Sequence, residues 1–270
     1  IYKPLSSSSG RLILRIQLTK WRKTSFYLSR LPMISLKRTK SLSLISREWD
    51  AIAALRERQI ASGKDHSANC VLAPAILGEL SKVDYLVDIG CGTGWLTSRA
   101  ALCAKTVVGL DPSRESIAIA KAKHAGDSIT YRAESVEEYA HRRAGPKFDV
   151  AISNMAASSA PSLENFISAS RQILKKDGVL IATIPHPCFW PLYWGYASHP
   201  KFHYERSFAV EGDFKIRKQE THMLTTHFHH PLELYLSVLA NNGLRLELLR
   251  ELYGKGFNFP RFIVLVSRAV

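Results

Sequence analysis

Leu86-Val87-Asp88-Ile89-Gly90-Cys91-Gly92-Thr93-Gly94 is the stretch that decides the fold. An apolar run carrying one acid empties into three glycines spaced two apart, and Trp95-Leu96-Thr97 then opens a helical pattern. This predicts a buried parallel strand, a tight turn and a helix N-terminus. Glycine is needed where backbone turns through positive φ, or where a ligand presses against main chain that a Cβ would block. The run Val107-Val108-Gly109-Leu110-Asp111 predicts a second buried strand that ends in a carboxylate seventeen residues after Gly94. A carboxylate at about that distance from a Gly-rich turn suits a ribose diol, because it accepts from both hydroxyls.

The pattern also says which nucleotide-like ligand fits. A dinucleotide site wants G-x-G-x-x-G, but the third glycine position falls on Trp95 and Gly94 comes one residue early. Asp88, two residues before the first glycine, would repel a pyrophosphate. It suits a cation instead, such as the amino and sulfonium groups of S-adenosylmethionine. Asp88-x-Gly90-x-Gly92-x-Gly94 with a strand-terminal Asp111 resembles the class I S-adenosylmethionine-dependent methyltransferases. The resemblance covers about residues 47–270.

The resemblance implies an α/β fold, a doubly wound seven-stranded Rossmann-like sheet with an antiparallel last strand and helices on both faces. It implies S-adenosyl-L-methionine as cofactor, held by Asp88, Gly90, Cys91, Gly92 and Gly94, with Asp111 and Pro112 at the ribose. Methyltransferases of this kind commonly place Asp and a small residue after the third strand, facing the adenine amino group. Glu134 and Ser135 fill that slot here; the longer side chain departs from the pattern, and a helix N-terminal charge is the other reading of Glu134. Asn154 and Met155 end the fourth strand, beside the transferable methyl.

The order of elements agrees. Trp95 to Ala104 predicts a helix, Thr106 to Leu110 a strand, and Pro112-Ser113 starts a further helix. Strands follow over 127–132, Phe148 to Met155 and Val179 to Ile184, with a helix over Pro161 to Lys175. Strand–helix alternation of this kind predicts a doubly wound parallel sheet. Leu244 to Leu252 and Phe262 to Val266 come without a helix between them, which suits a closing antiparallel hairpin. Ahead of the first strand, Trp49, Ile52, Ala53, Leu55, Arg56 and Ile60 recur at helical spacing, and Val71 to Leu80 continues as helix. By analogy these helices form a lid; Trp49 and His66 either touch cofactor or substrate, or are lid packing and a surface turn.

Residues 185–230 break the rhythm, with three prolines in seven residues and seven of the ten histidines (186, 199, 203, 222, 227, 229, 230). A long interruption that is too aromatic for a solvated linker reads as a cap building the acceptor pocket. The formal charge is +14, yet eleven Lys or Arg and no acid fall in residues 1–47, and taking 11 from +14 leaves +3 for the remainder. Residues 1–46 are therefore set apart as a basic, Ser-rich segment, disordered or non-native upstream sequence, a transit peptide, or an RNA-binding arm. The four cysteines (70, 91, 103, 188) show no metal spacing, and no apolar run reaches membrane-spanning length. A cytoplasmic enzyme is expected, or an organellar one if the N-terminal segment is a transit peptide, with no metal, membrane or nucleic-acid partner.

Methyl transfer is an in-line displacement on an activated donor, so the protein chiefly positions reactants and excludes water. Where a hydroxyl acceptor needs its proton removed, a neutral histidine is suited to that near pH 7. His186, just past the fifth strand between Pro185 and Pro187, is the first candidate base. His229 is the second, since small-molecule methyltransferases with a similar His-Pro-Cys-Phe segment tend to carry a matching His-x-Pro-Leu. A purely structural histidine is the other reading of each. Pro187-Cys188 sits where RNA cytosine-C5 methyltransferases keep a nucleophile, but their second Pro-Cys is replaced by Asn154-Met155-Ala156. The same residues lack the Asn-Pro-Pro-Tyr signature, which argues against adenine-N6 or glutamine methylation. The expectation is a small-molecule methyltransferase acting on an aromatic or polyketide-like hydroxyl or carbon. An RNA methyltransferase using the basic tail and a catalytically silent cofactor-binding module are the alternatives.

Overall fold

The computed structural model describes residues 34–142, 145–216 and 219–270. The expectations for residues 1–33 lie outside the described residues. The chain opens with β1 (Ser35–Lys37) and the long helix α1 (Leu42–Ala61), then a π-helical turn (Ala68–Leu72) that leads into α2 (Ala73–Leu77). The alternating part is β2 (Val83–Ile89), α3 (Trp95–Ala100), β3 (Ala104–Leu110), α4 (Arg114–Lys123), β4 (Ile129–Arg132), α5 (Val136–Arg142), β5 (Phe148–Asn154), α6 (Leu163–Ile173) and β6 (Leu174–Pro185). After a short helix, α7 (Trp190–Trp194), come the hairpin β7 (Phe208–Ile216) and β8 (Gln219–His229), α8 (Leu232–Asn241), β9 (Leu244–Tyr253) and β10 (Pro260–Ala269).

Seven strands form one sheet in the order β4-β3-β2-β5-β6-β10-β9. The pairs among β2 to β6 are parallel, and β10 runs antiparallel to both its neighbours. Side chains alternate across a strand, so a sheet covered on both faces needs apolar residues at every position. Val87, Ile89, Ala151, Leu180 and Ile263 pack on one face with α5, α6 and α8. Leu86, Val150, Ile152, Ile181 and Val264 pack on the other with α2 and α3.

Two boundaries differ from the sequence expectation. Residues 34–46 do not belong to a detached basic segment. Leu36 of β1 pairs with Val210 of β7, and α1 begins five residues before Arg47, with Ile45 buried. Lys40 is ion-paired with Glu48 and Glu211, so its charge serves the fold. The interruption at 185–230 is likewise more ordered than a loop-built cap. Its hairpin joins β1 in a three-stranded antiparallel sheet, β1-β7-β8.

Candidate functional site

The carboxyl ends of β2, β3 and β5 open into one cleft enclosing about 1290 Å³, its mouth included. This is where a doubly wound sheet leaves room for a ligand. The loop after β2 forms its floor. Gly90, Gly92 and Gly94 all have positive φ, at 73°, 54° and 84°. A Cβ on Gly90 would stand 2.3 Å from the Ala156 Cβ, so this glycine lets the β2 and β5 loops meet. A Cβ on Gly92 would meet nothing within 4 Å, so bare backbone faces open space there. Cys91 lends only main chain: its side chain packs with Ile117, Ala120 and Tyr131, and burial pushes its thiol well up.

Asp111 closes the loop. Its Oδ2 accepts from the Gly92 N–H at 2.9 Å and its Oδ1 from the Ser113 N–H at 2.8 Å. Removal from water pushes this carboxyl up to about 6 despite those bonds. Each oxygen keeps a second lone pair for a diol. Pro112 lines the cleft beside it. Asp88 stands behind the loop, outside the lining. It is 1% exposed, its Oδ2 accepts from Thr97 Oγ1 at 2.6 Å, and its Oδ1 is buried without a partner. Burial pushes it up to about 7.

Glu134 and Ser135 line the cleft beyond β4. Ser135 begins α5 with a reciprocal cap: Ser135 N–H donates to Glu138 Oε2, and Ser135 Oγ accepts from Glu138 N–H. Glu134 is ion-paired with Arg142, with Arg132 4.0 Å away. At the end of β5, Asn154 Oδ1 accepts from Thr183 Oγ1 at 2.7 Å. Met155 follows at φ 63°, its N–H bonded to Thr183 O at 3.0 Å. A non-glycine residue held left-handed at a cleft floor is the sort of strain that collects at functional sites.

The roof is α1. Leu42, Ile45, Trp49, Ala53, Arg56 and Ile60 line the cleft from this helix. An adjoining side carries Ser46, Asp50 and Glu57, which tie the roof to the floor. Ser46 Oγ donates to Pro112 O at 2.8 Å, and Asp50 Oδ1 accepts from Ser113 Oγ at 2.6 Å. Glu57, 3% exposed, accepts from Thr93 Oγ1 at 2.7 Å and meets His124 Nε2 at 3.1 Å. The sequence analysis missed Asp50, Glu57 and Thr93. Two acids seven residues apart on one helix side were the available signal.

The two candidate bases stand elsewhere, and this corrects their assignment. Neither His186 nor His229 lines the cleft. His186 is buried, with Nδ1 accepting from the Cys188 N–H at 3.2 Å and Nε2 bonded to Glu251 at 2.9 Å, so both nitrogens are engaged. His229 stacks on Phe208 and bonds the Tyr204 carbonyl through Nε2 at 3.0 Å, and burial lowers its pKa. The structural alternative describes both. The cap as pocket builder is corrected with them, because no described residue of 185–230 lines the cleft. Trp49 does line it; His66 does not. Among the described residues no three His, Cys, Asp or Glu side chains gather into a metal-binding group, and no helix is long and apolar enough to cross a membrane.

Comparison with known proteins places this geometry. Residues 87–182, from β2 to β6, match a family described as Methyltransferase domain. The matched segment supports a likeness to the class I S-adenosylmethionine-dependent methyltransferases. A ubiquinone biosynthesis O-methyltransferase of Rhizobium etli is 36% identical over 102 residues, which are 37% of this chain and 40% of that protein. The Agrobacterium fabrum protein of the same description is 33% identical over 99 residues, 36% and 39% of the two chains. The chain thus spans about 40% of the length of the curated relatives it matches. Among solved structures, a DhpI–SAM–HEP complex superposes with a TM-score of 0.60 at 19% identity, over 85% of this chain and 100% of that one. An S-adenosylmethionine-dependent methyltransferase of Clostridium acetobutylicum gives 0.57 at 17%, over 82% and 98%. These two likenesses are likenesses of fold.

S-adenosylmethionine is the cofactor of the family that this segment resembles, and the cleft's own atoms fit it. Bare backbone at Gly92 leaves room for close approach, and both Asp111 oxygens border the cleft with lone pairs to spare; Asp88, expected to touch the donor, instead supports the loop from behind through Thr97.

Proposed function

We propose that the chain transfers a methyl group from S-adenosylmethionine to a small aromatic or polyketide-like acceptor, through a hydroxyl or a carbon. The observation that carries this reading is the roofed cleft: a Gly-rich floor with Asp111 on one side, and the apolar side chains Leu42, Ile45, Trp49 and Ile60 above it. A cleft roofed by apolar side chains suits a flat organic acceptor. The bound cofactor supplies an activated methyl group on a sulfonium. The protein's part is placement and exclusion of water. In this reading the loop and Asp111 hold the donor, Glu134 and Ser135 border its base, and Asn154 and Met155 border the transferable methyl.

No histidine lines the cleft among the described residues. The reading therefore favours acceptors that ionise or enolise unaided near neutral pH, such as acidic phenols and β-dicarbonyl carbons. The ubiquinone biosynthesis O-methyltransferases, similar over 102 residues, support an oxygen acceptor. The test is transfer of tritium from labelled S-adenosylmethionine to a panel of phenols and β-diketones, with Asp111→Asn as control. Label entering one acceptor class, and at least tenfold less with Asp111→Asn, is expected. Tight cofactor binding with no label in any acceptor would replace this reading with a silent binding module.

A further inference from the structure

The roof helix brings one cation to the cleft. Among the described residues lining the cleft, Arg56 is the one Lys or Arg, set against the acids Asp111, Glu134 and Glu137. Its placement on α1 separates it from the donor side. Ser46, Asp50 and Glu57 bond to Pro112, Ser113 and Thr93, the residues around the Gly-rich loop and Asp111. Successive residues on a helix are about 100° apart, so Trp49 and Arg56, each one residue before Asp50 and Glu57, share a different side. Both pack on Phe214 of the three-stranded sheet: Trp49 meets its ring edge-on at 6.2 Å, and the Arg56 guanidinium lies 5.8 Å from its centroid.

The guanidinium is also held in place. Arg56 Nη1 bonds Asp65 Oδ2, while Asp65 Oδ1 accepts from the Ala68 N–H at 3.0 Å, which fixes the acid to the turn below. The Arg56 side chain keeps 22% of its exposure. A rigid guanidinium, one edge anchored and the plane backed by an aromatic ring, presents its remaining N–H groups as a fork for carboxylate. Trp49 beside it supplies a flat face.

We propose that Arg56 and Trp49 form the acceptor subsite of the cleft, and that the acceptor is an aromatic acid whose carboxylate docks on Arg56 while its ring lies against Trp49. The inference rests on the methyl-transfer reading above and narrows it to one substrate class. A charged hydrogen bond of this kind accounts for roughly 10- to 100-fold in affinity.

The test uses the protein saturated with S-adenosylhomocysteine, titrated calorimetrically with two matched pairs: 4-hydroxyphenylacetate against 4-hydroxyphenylacetamide, and indole-3-acetate against indole-3-acetamide. At least one acid should bind tenfold or more tightly than its amide. Arg56→Gln should erase that preference while S-adenosylhomocysteine affinity stays within about twofold of wild type. Arg56→Lys, which keeps the charge beside Asp65 should the glutamine variant unfold, should lower the acid-to-amide ratio several-fold. Equal binding of acid and amide, no binding of any probe, or a preference that survives both substitutions overturns the proposal. A parallel loss of S-adenosylhomocysteine affinity in Arg56→Gln also overturns it, by moving Arg56 to the donor's own carboxylate. Failure of the underlying reading looks different: wild-type protein would then not bind S-adenosylhomocysteine at all.

Discussion

Gly90 and Gly92 share a positive φ but do different work, and substitution separates them. Alanine at 90 brings a methyl to 2.3 Å from the Ala156 Cβ, inside packed structure that cannot give. Alanine at 92 meets nothing within 4 Å and costs only its left-handed backbone, about 1–2 kcal/mol. Gly90→Ala should lower the thermal midpoint and abolish S-adenosylhomocysteine binding together. Gly92→Ala should melt only a few degrees lower yet lose more than tenfold in affinity; wild-type affinity there would put the donor elsewhere. Asp111 adds a pH signature. Its carboxyl lies at about 6, raised by burial from an ordinary 3.8. Donor affinity should fall about tenfold per pH unit below about 6 as the carboxylate protonates, and Asp111→Asn should give a weak, flatter profile. Its contribution to folding runs the other way. A raised folded-state pKa means the native state binds the extra proton, so this contribution is fully present below about 4 and is lost as pH rises through 6. Calorimetric stability of the unliganded protein and donor affinity should therefore show opposite Asp111-dependent slopes between about pH 4 and 6.

At the scale of elements, the strand–loop–helix from Val83 to Ala100 and the closing pair β9 and β10 were legible because their signals are local: apolar runs, glycine spacing, and the missing helix between the last two strands. The stripe on α1 was legible as a helix period, but what it covers was not, since its partners Thr93, Ser113 and Phe214 lie far along the chain. The same limit misled the reading of His186. Its place after β6 was visible, but Glu251, which occupies its Nε2, comes from β9 on the far side of β10. The tie between α1 and the Gly-rich loop is a testable element. Thr93→Val removes the hydroxyl that bonds Glu57 Oε2 and keeps the side-chain shape. A lost bond to a charged acceptor is worth about 1.5–3 kcal/mol. With roof and floor uncoupled, S-adenosylhomocysteine should leave at least tenfold faster in stopped-flow displacement while its association rate barely changes. An unchanged dissociation rate would mean that α1 does not retain the donor.

For the whole molecule, the decisive question is where the folded unit begins, and here composition misdirects. Composition sets all eleven cations of residues 1–47 apart, yet two of the described ones, Lys37 and Lys40, pair with acids of the folded unit. Glu211, 4% exposed, is bridged by Lys40 at 2.5 Å and Lys37 at 2.6 Å, and Lys40 also holds Glu48 and Thr226. Those contacts bind residues 35–40, the start of the roof and the three-stranded sheet into one network. Removing the cations would leave a buried carboxylate uncompensated, which costs about 3–5 kcal/mol. Two truncations make the comparison: one chain starting at Ile34, the other at Arg47. The second also loses β1, the Ser41 entry to α1 and the buried Ile45. At about 2–4 °C per kcal/mol for a domain of this size, it should melt on the order of 10 °C below the first, with weaker S-adenosylhomocysteine binding because the roof is shortened. Adding Glu211→Gln to the shorter chain should restore part of the midpoint, since the unpaired charge goes with it. Equal melting of the two chains would return residues 34–46 to the status of a dispensable arm.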